Sequence, residues 1–221
     1  MALPLSVKPI AASEALAVTL RDRILSGDIE PGARLPELDL ASQYGLARPT
    51  VREALALLVH QGVLQRRPNH SAWVPELTPE AVADIFFARI PLELYTVRTL
   101  IERGIEVPAA REAVARLQSL PDGAHWSEVV DSDFAFHEAL VKATGSPRLA
   151  RLHASLEGEI RLCIAQLRPA WHTPSALAEE HRQVLEGILA GSASAAEDRM
   201  REHLEKAVRD LTLRARERSE R

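Results

Sequence analysis

The sequence is short of several features that would place it in other protein classes. Of its 221 residues, one is a cysteine and 4% are aromatic. A single cysteine, Cys163, excludes an internal disulfide framework, and the low aromatic content favours helix over sheet. No apolar run approaches the roughly 20 residues that a membrane-spanning helix needs, and the first residues lack the pattern of a secretory signal. We therefore expect a mainly all-α cytoplasmic protein with no membrane partner.

The sequence also lacks an excess of positive charge. Its formal net charge is −4, which taken alone argues mildly against a nucleic-acid partner. The charges are distributed unevenly, however. Residues 1–75 carry eight basic and seven acidic side chains, whereas the remainder carries 19 basic and 24 acidic ones. A change of sign along the chain indicates two parts that meet different partners.

Glycines and turn residues divide residues 13–75 into three helices and a hairpin. The first predicted helix begins at an N-cap, Ser13, and stops at Gly27. The remaining elements are two helices and two strands, predicted at about Glu37–Tyr44, Arg48–Gln61, Val63–Arg67 and Ala72–Val74. This order is that of a winged helix-turn-helix DNA-binding domain with a small β-hairpin wing, preceded by an N-terminal arm over residues 1–12.

The third predicted helix has the residues of a DNA reader at its start. A recognition helix enters the major groove with its N-terminal end first. Arginine can donate two hydrogen bonds to guanine, and threonine can reach a base or a phosphate. The candidate DNA-binding residues on this helix and at the tip of the hairpin are Arg48, Thr50, Arg52, Arg66, Arg67, Asn69 and His70. The alternative, an ordinary amphipathic helix with surface arginines, does not account for the complete order of elements.

Beyond a linker at Val74–Leu77 the pattern is helical, which predicts an antiparallel α-helical bundle over residues 76–216 and a tail over residues 217–221. Thr78 is the expected N-cap of its first helix. Pro91 lies inside that helix, so we expect a kink or break near Ile90. The later helices are predicted at about Pro108–Leu120, Ser127–Thr144, Pro147–Leu167, Pro174–Ala190 and Ala195–Arg216, the last with a capping box of Ser194 and Glu197.

Four ionisable side chains fall on apolar helix faces of the second part. Asp133 and His137 are four residues apart, so they share a helix face. His181 and His203 flank a short loop at Gly191 and should lie at similar depths, about 15–18 Å from the turn. One aspartate and three histidines facing inward could bind a divalent transition metal. The spacing alone leaves ordinary core histidines and a simple Asp–His hydrogen bond as alternatives.

The first part resembles the GntR family of bacterial transcription regulators. The resemblance rests on four segments, Leu25–Gly27, Pro31–Leu35, Ala47–Leu55 and Pro68–Ala72. It implies that Arg48 and Arg52 contact DNA and that the wing tip enters the minor groove. Ala47 stands where the family usually has a serine, which removes a helix cap worth about 1 kcal/mol. His70-Ser71 replaces the usual Arg-Gly, which predicts weaker or pH-sensitive minor-groove contacts.

The second part is similar to the FCD domain, which defines the FadR-type branch of that family. The resemblance rests on a D-x-x-F-H signature and two histidine motifs, Asp133–His137, Glu180–Arg182 and Met200–Leu204. It implies a divalent transition metal, Zn or Ni, and a small carboxylate effector that completes its coordination. The implied metal ligands are Asp133, His137, His181 and His203. The implied effector-binding residue is Arg89. Arg161 is a further candidate for an anion contact, although surface ion pairing is the role that we favour for it.

Together these observations predict a homodimeric repressor that binds double-stranded operator DNA and responds to an effector. A dimer would place two recognition helices in successive major grooves. The nearest alternative is a regulator whose metal is purely structural. A metal-dependent hydrolase or isomerase is a further alternative, but no His-Glu-x-x-His helix is present, and Glu138 points about 100° away from His137. We therefore expect a protein that is not an enzyme.

Overall fold

The computed structural model describes residues 11–167 and 173–220. The chain divides into two compact units, and the boundary along the sequence lies between Pro75 and Glu76. Most of the predicted N-terminal arm, together with Arg221 of the predicted tail, lies outside the described residues. Ala12, the last residue of that arm, already belongs to the first helix.

The first unit contains three helices, α1 (Ala12–Ser26), α2 (Glu37–Tyr44) and α3 (Arg48–His60). As predicted, α1 and α2 end at Gly27 and Gly45, where φ is +91° and +64°. This left-handed conformation carries little steric cost for glycine. The core of the unit forms between α1 and α3, and its main members are Leu16, Leu20, Ile24, Val51, Leu55 and Leu58.

The start of α1 differs from the prediction. Ala11 is the N-cap and makes no side-chain cap hydrogen bond, whereas Ser13 is buried within the first turn. The amide of Ala15 donates to the carbonyl of Ala11 at 3.1 Å, which begins the helix before Ser13. Ser13 shares the buried face with Ala17 and Leu20, so packing decides its position.

The hairpin is also paired differently from the prediction. β1 (Arg34–Leu35) pairs antiparallel with β2 (Ala72–Trp73), with Arg34 opposite Trp73. The predicted strand Val63–Arg67 is reduced to one bridge between Gln65 and Trp73. The physical reason is that the amides of residues 63 and 64 donate back to the carbonyl of Leu58 at 3.0 and 3.2 Å, which ends α3. The loop before α2 therefore supplies the main partner strand of the wing.

The second unit is a bundle of helices. Its elements lie within a few residues of the prediction: α4 (Pro79–Glu102), α5 (Pro108–Ser119), α6 (Trp126–Ala143), α7 (Pro147–Leu167), α8 (Pro174–Leu189) and α9 (Ala193–Ser219). α4 packs along α9, and α5 packs against α6 and α8. The largest fully buried side chains of its core are Phe86, Leu100, Phe136, Leu140, Ile160 and Met200. In the part of the chain that the structure describes, no helix is long and apolar enough to cross a membrane.

Pro91 does not break α4, so the predicted break near Ile90 is wrong. The helix continues from Pro79 to Glu102 with Pro91 inside it. Pro91 and Phe87 are both exposed, so the helical hydrogen bond that the proline removes, to the carbonyl of Phe87, is lost on the outer face of the helix and not in the core. Buried residues on both sides, including Phe86 and Val97, anchor the helix in the core and hold it together.

Two expectations about α9 are also wrong. The capping box of Ser194 and Glu197 is absent, because the helix begins at Ala193 after the N-cap Ser192. Glu197 instead accepts two hydrogen bonds from Arg98 on α4, at 2.7 and 2.8 Å. The predicted tail is helical as far as Ser219, so α9 includes residues that were expected to lie beyond the bundle.

Candidate metal centre and nucleic-acid interface

The candidate recognition helix is α3, which follows α2 across a short turn. Arg48 and Arg52 are exposed in its first turns, and Thr50 is half-buried. As predicted, Ala47 occupies the N-cap without a side-chain hydrogen bond. The other face of α3 is buried in the core, which leaves these polar residues to face outward.

Glu37, the first residue of α2, forms ion pairs with two of the candidate arginines. Its carboxylate accepts from Arg52 Nε at 3.2 Å and Nη2 at 3.1 Å, and from Arg66 Nη2 at 2.9 Å. The hydrogen bond from Arg52 lowers the pKa of Glu37 against the opposing effect of burial, so the carboxylate stays charged. The sequence analysis missed Glu37, because its partners lie 15 and 29 residues away along the chain.

The wing presents the remaining candidates. Asn69 has a φ of +61° in the turn, and the amide of His70 donates to the carbonyl of Arg67 at 3.1 Å. Asparagine tolerates this left-handed conformation better than most residues. Arg66 Nε donates to the carbonyl of His70 at 3.2 Å, and the Arg67 guanidinium lies 5.9 Å from the centre of the Trp73 ring. Arg52 and Arg66 thus meet at Glu37, whereas Arg67 and His70 line a neighbouring hollow with Trp73.

The structure brings the four predicted metal ligands together in the second unit. One donor atom each from Asp133, His137, His181 and His203 lies within 4.8 Å of the other three, and all four residues are buried. His181 Nε2 is 3.2 Å from Asp133 Oδ1, and His203 Nε2 is 3.3 Å from His137 Nε2. The rings of His181 and His203 are centred 4.7 Å apart, so they do lie at the same depth of α8 and α9.

The protonation of the cluster fits a bound cation. Burial lowers the pKa of His137 to about 3 and also lowers that of His181, so both rings are neutral at pH 7. Burial raises the pKa of Asp133, but the close contact with His181 and the positive charge of Arg89 outweigh this effect, so the pKa lies below its usual value and the carboxylate is ionised. Neutral imidazole and ionised carboxylate are the forms that bind metal.

His181 provides an independent test of whether a metal fits. Its ring is fully buried and stacked on Phe136, with centroids 4.4 Å apart. Neither of its ring nitrogens has a hydrogen bond of acceptable geometry within the described residues. A buried polar group without a partner is costly, and a metal ion would supply a partner for Nε2, the nitrogen that lies 3.2 Å from Asp133 Oδ1 in the cluster. Three nitrogens and one oxygen suit a divalent transition ion.

Two acids missed by the sequence analysis orient the histidines. Glu93 Oε2 accepts from His137 Nδ1 at 2.5 Å, and Glu180 Oε2 lies 3.0 Å from His203 Nδ1. These contacts leave the Nε2 atoms of both rings facing the cluster. Arg89 donates to Glu93 and Lys206 donates to Glu180, so each acid is itself paired. A carboxylate behind a ligating histidine fixes its tautomer and orientation.

The candidate effector residues Arg89 and Arg161 have different surroundings. Arg89 is 2% exposed, and its Nη2 has no hydrogen-bond partner among the described residues. It lines a small cavity, partly open to solvent, together with Asp133 and His203. Arg161 lies outside the described lining of this cavity. It pairs with Glu157 at 2.8 Å and with Asp131.

Known proteins match both units. Residues 12–74 match the bacterial regulatory proteins of the gntR family, and residues 84–206 match the FCD domain. The HTH-type transcriptional regulator BphR of Paraburkholderia xenovorans is 30% identical over 207 residues, which are 88% of this chain and 83% of BphR. The gluconate operon transcriptional repressor of Bacillus subtilis is 30% identical over 131 residues, 58% of this chain and 53% of the repressor. A GntR regulator from Rhodococcus sp. RHA1 aligns with a TM-score of 0.78 and 26% identity, over 90% of this chain and 96% of that structure.

A winged helix-turn-helix followed by an all-helical FCD unit is the architecture of a transcriptional regulator, and the matched relatives are regulators and not enzymes. The chain belongs to the GntR family, with a DNA-binding helix-turn-helix and an FCD domain. The predicted family and fold class are thereby confirmed.

Proposed function

We propose that the protein is a repressor whose operator binding is modulated by a small organic acid, bound at a metal-containing pocket of the FCD domain. One observation carries the proposal: the cavity of the second unit is lined by Asp133 and His203 of the Asp–His cluster and by the buried Arg89, whose Nη2 has no hydrogen-bond partner among the described residues. A cavity that joins a metal site to a buried guanidinium suits an anion. The similarity to a gluconate operon repressor supports the repressor role.

The metal would be held by Asp133, His137, His181 and His203. Zn and Ni both accept such nitrogen and oxygen donors. When bound, the ion would supply positive charge that attracts a carboxylate. Glu93 and Glu180 would hold the donor nitrogens of His137 and His203 toward it, and Arg89 would bind the carboxylate of the effector.

The DNA contacts would come from the first unit. Arg48, Thr50 and Arg52 of α3 would contact the major groove of the operator. The wing residues would contact the backbone and minor groove nearby, and these are Arg66, Arg67, Asn69 and His70. Effector control requires that the acid bind the DNA-bound and free arrangements with different affinity.

A homodimer would place two such units on a two-fold symmetric operator in the cytoplasm. The second unit has an apolar exposed stripe on α4 that supports this proposal. Phe87 and Tyr95 are 79% and 59% exposed, and Pro91 lies between them at the same four-residue spacing. Sedimentation of the purified protein tests the dimer directly.

The proposal is tested by fluorescence anisotropy with DNA from the promoter region of the protein's own gene. We expect specific binding that changes severalfold when an organic acid is added to metal-loaded protein. Absence of specific binding at every effector concentration would contradict the DNA-binding role. If metal removal lowers the melting temperature while no acid shifts stability or DNA affinity, the metal is structural only.

A further inference from the structure

The walls of the FCD cavity indicate what kind of acid it binds. We infer that the effector is a monocarboxylate with an apolar body, and not a di- or tricarboxylate or a polyhydroxy acid. This inference rests on the proposed function and narrows it to one chemical class. Two properties of the cavity, its apolar lining and its balance of charge, carry the inference.

Most of the lining is apolar. The residues that surround the cavity away from the cluster are Phe86, Trp126, Val129, Val130, Ile164, Leu177, Ala207 and Leu211. The indole N–H of Trp126 already donates to the carbonyl of Ile164 at 3.2 Å. A hydroxyl or second carboxylate placed against this wall would lose its hydrogen bonds to water without replacement. An alkyl or aryl group would gain about 0.8 kcal/mol for each CH₂ that it buries.

The charges of the site leave room for one negative group. Arg89 is paired with Glu93, and Lys206 is paired with Glu180, so both pairs are neutral. A divalent ion with ionised Asp133 carries one net positive charge, which a single carboxylate neutralises. A second carboxylate would be buried without a counter-charge, because Arg89 is the one lysine or arginine in the described lining.

Arg89 also fixes where the carboxylate lies. Its Nε donates to Glu93 Oε1 at 2.5 Å, while Nη2 has no hydrogen-bond partner in the described part of the chain. The polar end of the ligand would therefore lie between Arg89 and the metal cluster. The body of the ligand would then extend along the apolar wall formed by residues such as Leu177.

The test is calorimetry on protein loaded with Ni²⁺ to one ion per chain, with hexanoate, acetate and succinate as probes. Hexanoate should bind at least about tenfold more tightly than acetate, because it buries more CH₂ groups, and at least about tenfold more tightly than succinate. If succinate binds more tightly than hexanoate, the inferred class is wrong, while an organic-acid effector still stands. If none of the three binds metal-loaded protein, both the class and the proposed acid response are contradicted.

A matched pair of variants locates the apolar wall. Leu177→Gln should weaken hexanoate binding about tenfold and leave acetate binding unchanged. Leu189 is on the same helix but 49% exposed and outside the described lining, so Leu189→Gln should change neither affinity. Equal loss for both acids in Leu177→Gln would contradict the assignment of the wall to the ligand body.

A second inference comes from the first unit and rests on the proposed DNA contacts. We infer that Glu37 is a positioning residue, which sets the recognition helix and the wing in one fixed relation for reading DNA. Its side chain is 12% exposed and bridges Arg52 and Arg66, whose side chains are 58% and 32% exposed. Each arginine thus turns part of its guanidinium toward Glu37 and retains an accessible part for DNA.

We expect this bridge to increase the specificity of DNA binding and not the affinity for DNA in general. Arginine reads guanine through two parallel hydrogen bonds, which require a fixed guanidinium plane. The negative charge of Glu37 opposes the attraction to phosphates at every sequence equally. Removing it should therefore weaken specific binding and strengthen nonspecific binding, whereas mere loss of folding would weaken both.

Glu37→Gln is the test, with Asp39→Asn as its control. Asp39 is exposed on the same helix, so the control removes an equal charge without touching either arginine. We expect Glu37→Gln to lower the ratio of affinity for promoter DNA to affinity for nonspecific DNA about tenfold. Asp39→Asn should leave that ratio unchanged. An unchanged ratio in Glu37→Gln, measured by anisotropy at one salt concentration, overturns the inference.

Discussion

The two units hold their charged side chains in opposite ways. In the first unit, Glu37 pairs at the surface with Arg52, whose side chain is 58% exposed. In the second, Glu93 pairs with Arg89 in the core, where the two side chains are 2% and 3% exposed. Exposed ion pairs contribute about 0–1 kcal/mol to stability, and the arginine in such a pair stays accessible to a binding partner. Breaking a buried pair by removing one partner costs about 3–5 kcal/mol. The first arrangement suits a DNA surface, and the second suits a fixed cluster of donor atoms.

The largest effect is expected from removing two donors of the buried Asp–His cluster. The double variant His181→Ala/His203→Ala should reduce bound metal from one ion per chain to none, because two of four donors are lost. Elemental analysis of protein dialysed against Zn²⁺ measures the stoichiometry. DNA binding in the absence of acid should persist, since the first unit is intact. His125→Ala, an exposed histidine of the same unit, is the control, and equal stoichiometry in both proteins would reject the site.

The next largest effect is expected from removing an exposed arginine of the first unit. Arg52→Ala should weaken binding to promoter DNA by about 1–3 kcal/mol, because a base or phosphate contact is lost. Its melting temperature should remain close to that of the wild type, since the side chain is largely exposed. Anisotropy and thermal denaturation measure the two quantities. The exposed Arg148 of the second unit offers a control in Arg148→Ala, and wild-type affinity in Arg52→Ala would show that the recognition helix is misassigned.

The buried histidines should make the stability of the second unit depend on pH. The pKa of His137 is lowered from 6.5 to about 3 in the folded protein, so below about pH 6.5 the unfolded chain binds more protons. The metal-free protein should therefore lose stability as the pH falls from 7 to 5. Urea denaturation at each pH measures the free energy of unfolding. His137→Gln should flatten this dependence, and a stability that rises on acidification would contradict the buried neutral histidine.

The smallest expected effect concerns the wing. Arg67 is exposed, and its guanidinium lies 5.9 Å from the centre of the Trp73 ring, so we expect it to contact phosphate and not a base. Arg67→Ala should weaken binding to all DNA sequences about equally and reduce the slope of log K against log salt by about 1. Titrations at several salt concentrations measure that slope. A loss confined to promoter DNA would instead make Arg67 a sequence reader.

Local patterns were sufficient to predict much of the fold and the Asp–His cluster. Gly27 and Gly45 end helices because of their own backbone freedom, and the four-residue spacing placed Asp133 and His137 on one face. Failures occurred where a distant residue decides the outcome. Glu197 was predicted to cap its own helix, but Arg98, 99 residues away, binds it.

The two acids that contact the cluster histidines also could not be predicted from local patterns. Glu93 lies 44 residues from His137, and Glu180 lies 23 residues from His203. Glu180 belongs to a histidine motif, but nothing in that motif assigns it to His203, and no local pattern assigns Glu93 to His137. Their roles became visible only when the packing of α4, α8 and α9 brought them behind the histidines.

Coupling between effector binding and DNA binding is the central feature of the proposed function, and a paired titration tests it most directly. The dissociation constant of promoter DNA is measured with and without hexanoate on metal-loaded protein, and that of hexanoate with and without the DNA. We predict that each ligand changes the affinity of the other by the same factor, about fivefold or more. In His181→Ala/His203→Ala the factor should be one. A factor of one in the metal-loaded wild type, with hexanoate shown to bind, would contradict the coupling.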